Sequence, residues 1–487
     1  MKTISLAILT GLALAGSCFG QPAILPDETE IEFTASSGQT VTAYQGAFLV
    51  PENRNDPGTR TIEIGYIRFP ATTDNPGSPI VYLAGGPGGS GTGTARGPRF
   101  PLFMEMRQHG DVYAFDQRGT GLSANGIPVC TSSVPDPQAS PVTDTEWTSR
   151  HLQAARECAA FWDDEGIDLR GYTTMESVRD LEALRQHAGA SQLSLWGISY
   201  GSHLALAAIG EMDEQLDRVI IASAEGLDQT VKLPEYTAAY FQRLQDAVDS
   251  QPAAAAAYPD ILALMNRVHD QLEQRPLQLE IPQEDGSTRG FLLQRHHLQW
   301  FAGGLLADPE RAPVMLQLYA SLDAGNATIA TALIQRFVPL TDHISLRAMP
   351  LAMDRASGIT PERLARFNET VAESPVGLYL NAPMPQLLDF MPEIDLGDEF
   401  RAGPSGDTPV LLLTGTLDSR TYIEEQAQSV AGLDNVTQVI VRNAGHNLFM
   451  TSPAVADRMH QFMRGEAVDA DEITIDLPDF TASPFSR

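Results

Sequence analysis

The chain has few basic residues and few cysteines, and the shortage of basic residues excludes two classes of partner. Its 487 residues include 32 Lys and Arg against 62 Asp and Glu, a formal net charge of −30. A surface of that charge repels nucleic acid and anionic membranes, so we expect neither as a partner. No apolar run after residue 20 is long enough to span a membrane. Hydrophobic residues make up 43% of the chain, which predicts a large folded core, while the oligomeric state is not defined by the sequence.

The cysteines are best interpreted together with the amino terminus. Residues 1–20 have the apolar run and small-residue end of an export signal, which predicts a periplasmic or extracellular protein. Cleavage before Gln21 and cleavage before Cys18 both fit; in the second case Cys18 would carry a lipid anchor, although its lipobox is imperfect. Cys130 and Cys158 then remain, and an oxidising compartment favours a disulfide between them. Two unpaired buried thiols are the alternative.

A Gly-x-Ser-x-Gly motif at residues 197–201 is the most informative feature of the sequence. An apolar strand leads into it and a helix-forming segment, residues 202–208, follows it. The two glycines allow a sharp turn that exposes the hydroxyl of Ser199 above the edge of a sheet. We therefore predict that Ser199 is a catalytic nucleophile.

A serine nucleophile needs a base and an orienting acid, in the chain order serine, acid, histidine. Asp418 follows the apolar run at residues 410–414, and His446 follows the run at residues 438–441. Both residues thus come just after the carboxyl end of a predicted strand, where α/β sheets place their chemistry. We predict Asp418 and His446 as the other two members of a triad. For each, an ordinary loop residue is the alternative, and Asp407 and Asp434 compete for the role of the acid.

Residues 85–91, Gly-Gly-Pro-Gly-Gly-Ser-Gly, form a second motif after a predicted strand. Backbone N–H groups in such a loop can approach a ligand closely, so we predict the amides of Gly86 and Tyr200 as an oxyanion hole. Nucleotide-binding glycine motifs are absent, and the His296–His297 pair has no other ligand at metal spacing, so neither cofactor nor metal is expected. Asp116 and Arg118, after another strand, are predicted to pair and stiffen their loop.

The remaining chain divides by its strand content. Two candidate strands, 43–50 and 61–67, predict an antiparallel hairpin that opens the sheet, and the second of them alternates apolar and polar residues. About 180 residues with helical periodicity separate the strands near residues 222 and 410. We predict a hydrolase-type core at residues 21–227 and 401–487, with a helical cap at residues 228–400 inserted before the acid-bearing strand.

These motifs together resemble the α/β-hydrolase superfamily, and within it the proline iminopeptidase and tripeptidyl aminopeptidase group of serine exopeptidases. The resemblance covers residues 60–225 and 405–465, although Ala84 departs from both subgroups. It implies a mostly parallel sheet with helices on both faces, and removal of residues from the N-terminus of short peptides through an acyl-enzyme. Enzymes of this group hold the substrate ammonium with carboxylates, which makes Glu225 a candidate ligand. A carboxylesterase acting on small esters and a binding protein without catalysis are the alternatives.

Overall fold

The structure is a computed structural model that describes residue 25 and residues 27–482. The predicted export signal at residues 1–20, with Cys18, lies outside the described residues. No helix within the described part is long and apolar enough to cross a membrane.

Fourteen strands occur in the described chain. In sequence order they are β1 Thr29–Thr34, β2 Thr40–Pro51, β3 Thr61–Phe69, β4 Ile80–Leu83, β5 Val112–Phe115, β6 Cys130–Pro135, β7 Leu193–Ser199, β8 Leu216–Ala224, β9 Leu277–Pro282, β10 Thr288–Leu293, β11 His343–Leu346, β12 Val410–Gly415, β13 Val436–Arg442 and β14 Ile473–Thr474.

Ten of these strands form one sheet in the order β1-β2-β3-β5-β4-β7-β8-β12-β13-β14. The first four are antiparallel neighbours, and every pair from β5 to β14 is parallel. The predicted opening hairpin is confirmed as β2 and β3, with Tyr44 opposite Arg68. Because the parallel strands run the same way, their carboxyl ends meet at one edge of the sheet.

Sixteen α-helices accompany the strands. They are α1 Gly91–Arg96, α2 Phe100–Met106, α3 Asp144–Asp164, α4 Thr174–His187, α5 Tyr200–Met212, α6 Glu235–Asp249, α7 Pro252–Ala257, α8 Ile261–Gln274, α9 Arg295–Leu305, α10 Ala312–Asp323, α11 Thr328–Phe337, α12 Ala348–Ser357, α13 Pro361–Thr370, α14 Gly397–Arg401, α15 Ile423–Ser429 and α16 Pro453–Met463.

Helices cover both faces of the sheet, as predicted. Alternate residues of a strand point to opposite faces, so Leu195 of β7 packs on the side of α4 and α5. Its neighbour Trp196 packs on the other side with α2 and α16. The central strands are buried on both faces, which explains why their sequences are continuous apolar runs.

The segment between β8 and β12 is mostly helical and has a core of its own, built largely from α6, α8, α9, α10 and α11. It also contains three short strands. β9 and β10 form an antiparallel hairpin, and β11 pairs with β6 of the preceding region. The hairpin has a recognisable sequence signal, an alternating segment ended by a turn with Asp285 and Gly286.

The predicted disulfide is present. Cys130 at the start of β6 is bonded to Cys158 of α3, with their Cα atoms 5.6 Å apart. Both residues are buried, so the bond fastens α3 to the strand that receives β11.

Candidate active site

The turn at the end of β7 places Ser199 in a strained conformation. Its φ of +55° and ψ of −130° are unfavourable for a residue with a side chain. A Cβ atom on Gly197 would lie 2.5 Å from the Gly201 carbonyl oxygen, and one on Gly201 would lie 2.1 Å from the Leu83 carbonyl oxygen. Both glycines are therefore required, and the predicted sharp turn is confirmed.

The glycine-rich loop lies directly against this turn. A Cβ atom on Gly85 would be 3.0 Å from the Cβ atom of Ser199. Gly86 has a φ of +131°, and a Cβ there would be 2.8 Å from the amide nitrogen of Gly88. Tyr200 is the first residue of α5, where backbone N–H groups have no acceptor within the helix. The backbone of both segments is thus close to the Ser199 side chain.

Asp418 and His446 are hydrogen-bonded to each other. The His446 Nδ1 atom lies 3.1 and 3.0 Å from the two carboxylate oxygens of Asp418. Asp418 is fully buried and also accepts the amides of Arg420 and Thr421, at 2.8 and 3.0 Å, and the Thr421 hydroxyl at 2.7 Å. Burial raises the pKa of Asp418, but His446 and the Thr421 hydrogen bonds outweigh it and hold that pKa below its ordinary value. The carboxylate is therefore ionised beside the imidazole.

The sheet brings these three residues to one edge. Ser199 ends β7, which pairs with β8, and Asp418 and His446 follow β12 and β13, the next two strands along. The end of β8 contacts both sides: the Ser223 hydroxyl donates to the His446 carbonyl at 2.8 Å, and the Glu225 amide donates to the Ser202 hydroxyl at 2.8 Å. Within the described residues, the side chains of Ser199 and His446 are not hydrogen-bonded to each other.

The inserted segment holds the histidine loop, a contact that sequence reasoning missed. The His446 amide donates to the Ala307 carbonyl at 2.8 Å. Asp308 accepts both the amide and the side-chain nitrogen of Asn447, at 2.8 and 2.7 Å. These residues are 139 positions apart, and no local pattern indicates the pairing.

Glu225 does lie at the carboxyl edge, but its carboxylate is already paired. The residue is 3% exposed, and the Lys232 ammonium donates to it at 2.5 Å. A second acid, Asp354, which no sequence motif indicates, lies close enough for the charge of Glu225 to raise its pKa. The charge of Glu225 is therefore already paired with that of Lys232, and the carboxyl group of Asp354 lies nearby.

Asp354 lies in α12, one turn after Pro350, and so on the same helix face. Pro350 lies against the glycine loop, since a Cβ on Gly88 would be 2.6 Å from it. Within residues 27–482, the Asp354 carboxylate has no hydrogen-bonded or ion-paired partner. Burial, then Glu225, raises its pKa to about 7, against the opposing effects of Lys232 and Arg420. Helix α12 thus holds an acid without a hydrogen-bonded partner close to Glu225 at the carboxyl edge of the sheet.

The expected pairing of Asp116 with Arg118 is wrong, although both residues do stiffen this region. Asp116 accepts the hydroxyls of Ser90 and Thr92, at 2.8 and 2.5 Å, at the start of α1. Arg118 points the other way and donates to both oxygens of Asp180, at 2.7 and 2.8 Å. Asp116 and Arg118 therefore bind different neighbours, because the tight turn directs their side chains apart.

Two family models match the chain. One, described as "alpha/beta hydrolase fold", matches residues 78–303, and the other, described as "TAP-like protein", matches residues 397–474. The first range includes Ser199, and the second includes Asp418 and His446. Together with the sheet topology, these matches show an α/β-hydrolase fold, the fold of the α/β-hydrolase superfamily.

Within that superfamily the chain resembles an aminopeptidase-like group. It is 31% identical to the tripeptidyl aminopeptidase of Streptomyces lividans over 155 residues, 30% of this chain and 28% of the relative. It is 27% identical to the serine protease Hip1 of Mycobacterium tuberculosis over 188 residues, 37% and 36% of the two chains. A carboxylesterase B of M. tuberculosis is 28% identical over 190 residues, 35% of each chain. The matching segments thus span about a third of the length of these relatives.

Proposed function

We propose that this hydrolase is a serine hydrolase in which Ser199 is the nucleophile, His446 the base and Asp418 the residue that orients the imidazole. The Ser199 oxygen attacks a substrate carbonyl carbon, and His446 accepts the hydroxyl proton and passes it to the departing amine or alcohol. Water then hydrolyses the acyl-enzyme by the reverse proton path. The observation that carries this proposal is the Asp418–His446 hydrogen bond at the sheet edge that also holds the strained Ser199.

The amides of Gly86 and Tyr200 are proposed as the oxyanion hole. The closeness of the glycine loop to Ser199 and the position of Tyr200 at the start of α5 support this assignment. Both donors belong to rigid backbone, so they need no reorganisation when charge develops on the carbonyl oxygen. No cofactor is required for this chemistry.

We further propose that the substrate is a short peptide with a free N-terminus. Likeness to a tripeptidyl aminopeptidase supports this, and Asp354 supports it independently, because a partner-free acid near the glycine loop suits an ammonium group. Glu225, our first candidate, remains part of the proposal as the neighbour of Asp354, with its own charge already compensated by Lys232.

Export to the periplasm or cell exterior, with or without a lipid at Cys18, is also proposed. The Cys130–Cys158 disulfide supports an oxidising compartment. The inserted segment has a separate apolar core. This supports the proposed division into a core at residues 21–227 and 401–487 and a cap at residues 228–400.

The test compares matched chromogenic peptides that have free or acetylated N-termini. We expect the free peptides to be cleaved with the higher kcat/KM, and Asp354→Asn to reduce the ratio between the two. Asp74→Asn, which removes a charge at an exposed loop position, is the control and should keep the ratio. Equal cleavage of both peptides would contradict the exopeptidase proposal. Unchanged turnover by Ser199→Ala would contradict the assignment of Ser199 as the nucleophile.

A carboxylesterase is the second candidate, favoured by the likeness to carboxylesterase B and by the ion pair that neutralises Glu225. It predicts turnover of short-chain esters without cleavage of either peptide.

A further inference from the structure

A cavity of about 440 Å³ lies between the region of α3 and β6 and the inserted segment. The triad residues do not line it. Aromatic rings form much of its wall, among them Trp147, His151, Phe291, His296, Trp300 and Tyr379. A volume of this size is typical of small-ligand and side-chain pockets.

Four of these rings form a connected array. Trp147 stacks on His151 with ring centroids 3.8 Å apart and meets Tyr379 edge-on at 5.4 Å. Tyr379 in turn stacks on His296 at 5.1 Å. Each ring is thus fixed by a neighbour, so the cavity presents preformed aromatic faces and edges to an occupant.

The imidazoles in this array are uncharged near neutral pH. Burial lowers the pKa of His296 to about 4, against the attraction of Asp144, and burial also lowers the pKa of His151. Asp136 and Arg150 also line the cavity, but the wall contributed by these rings is neutral and mostly apolar. It favours a planar apolar group over a charged one.

Two elements connect the cavity to the active-site edge. Phe301 of α9 lines the cavity, and Ala307, six residues later, accepts the amide of His446. Leu346 lines the cavity from β11, and Pro350, four residues later, lies against the glycine loop. Six residues of chain separate Phe301 from Ala307 and four separate Leu346 from Pro350, so the cavity wall lies at most about 22 Å and 14 Å from these contacts. A short extended peptide spans distances within these limits.

We propose that the cavity is a specificity pocket for an aromatic side chain of the peptide substrate. This proposal rests on the proposed peptidase function for the identity of the occupant. The preference would come from ring-on-ring contact in the preformed array. Nothing in the triad itself distinguishes an aromatic peptide from an aliphatic one.

Binding tests the pocket separately from catalysis. Calorimetry with the full-length Ser199→Ala variant would compare free-amine alanine peptides that carry a single phenylalanine or tryptophan at successive positions. We expect one position to bind about tenfold more tightly than the all-alanine peptide. Equal affinity at every position would overturn the proposal, whether or not the wild-type protein cleaves peptides. Selective binding without turnover in the wild type would overturn the peptidase function alone.

Trp300→Ala provides the matched test of location, because this side chain lines the cavity while being 47% exposed, so its loss should spare the fold. In the Ser199→Ala background it should reduce the aromatic preference at least threefold, about half of the expected effect on a logarithmic scale. Phe337→Ala, at a residue 51% exposed that does not line the cavity, should retain the full preference. An unchanged preference in Trp300→Ala would place the aromatic subsite elsewhere.

Discussion

Replacing Asp354 by asparagine should make the protein more stable at alkaline pH and leave its stability at acid pH nearly unchanged. The Asp354 carboxyl is enclosed near Glu225 and has no hydrogen-bonded partner in the described chain, and its pKa rises from 3.8 to about 7. Between about pH 4 and pH 7 the folded protein therefore holds a proton that the unfolded chain has released. Stability falls as the pH rises through that window, and the whole loss is present above pH 7.

The size of the effect follows from the same pKa values. A difference of about three pH units corresponds to about 4 kcal/mol of unfolding free energy. Asp354 keeps some contact with solvent, and Lys232 and Arg420 also face it, so we expect about half of that, ~2 kcal/mol.

Chemical denaturation at pH 4 and pH 8 measures this effect. The wild-type protein should lose about 2 kcal/mol of unfolding free energy between pH 4 and pH 8 because of Asp354. Asp354→Asn should not have this loss, so its unfolding free energy relative to the wild type should rise by about 2 kcal/mol. Asp74→Asn, at an exposed loop position, should gain almost nothing. A gain in Asp354→Asn no larger than in Asp74→Asn would refute the assignment of Asp354 as a strained, partner-free acid.

Three further changes test other parts of the account. Asp308→Ala removes the acceptor of two hydrogen bonds from Asn447 and should lower kcat about tenfold with a smaller change in KM, because the His446 loop loses its anchor; Asp308→Asn should lose less. Replacing Cys130 and Cys158 by serine should lower the unfolding free energy by about 3–4 kcal/mol, measured by denaturation, and a reductant should then have no further effect. Asp418→Asn should lower kcat on the order of 10³–10⁴-fold in steady-state assays, because the imidazole loses its orienting charge.

Each of these changes has an outcome that contradicts it. Wild-type kcat in Asp308→Ala would mean that the inserted segment does not position the histidine loop. A serine variant as stable as the wild type would mean that the disulfide constrains little. Full activity in Asp418→Asn would remove Asp418 from the proposed triad.

The sheet edge could be predicted from the sequence because local signals define it. Buried parallel strands are continuous apolar runs, and the glycines around Ser199 are required by close backbone contacts that a sequence motif records. The order of Ser199, Asp418 and His446 after successive strands then led to the Asp418–His446 pair. The disulfide followed from cysteine count and compartment alone.

The rest of the site depends on contacts that no local pattern encodes. Asp308 and Asn447 meet because the inserted segment folds back over the sheet edge. Glu225 lies where the strand pattern placed it, but Lys232, seven residues later, neutralises it. Asp354 lies in α12, and no local sequence pattern distinguishes this helix from a purely structural one. Such features come from the packing of the insert.

The central claim is that Ser199 is the nucleophile, and covalent labelling with a fluorophosphonate tests it most directly. The account predicts one adduct per chain, located by mass spectrometry on the peptide that contains Ser199, with loss of hydrolysis in step with labelling. Ser199→Ala should take up no label, while Ser37→Ala, at an exposed turn, should label as the wild type does. Hydrolytic activity that survives in Ser199→Ala, or an adduct on another residue, would contradict the account.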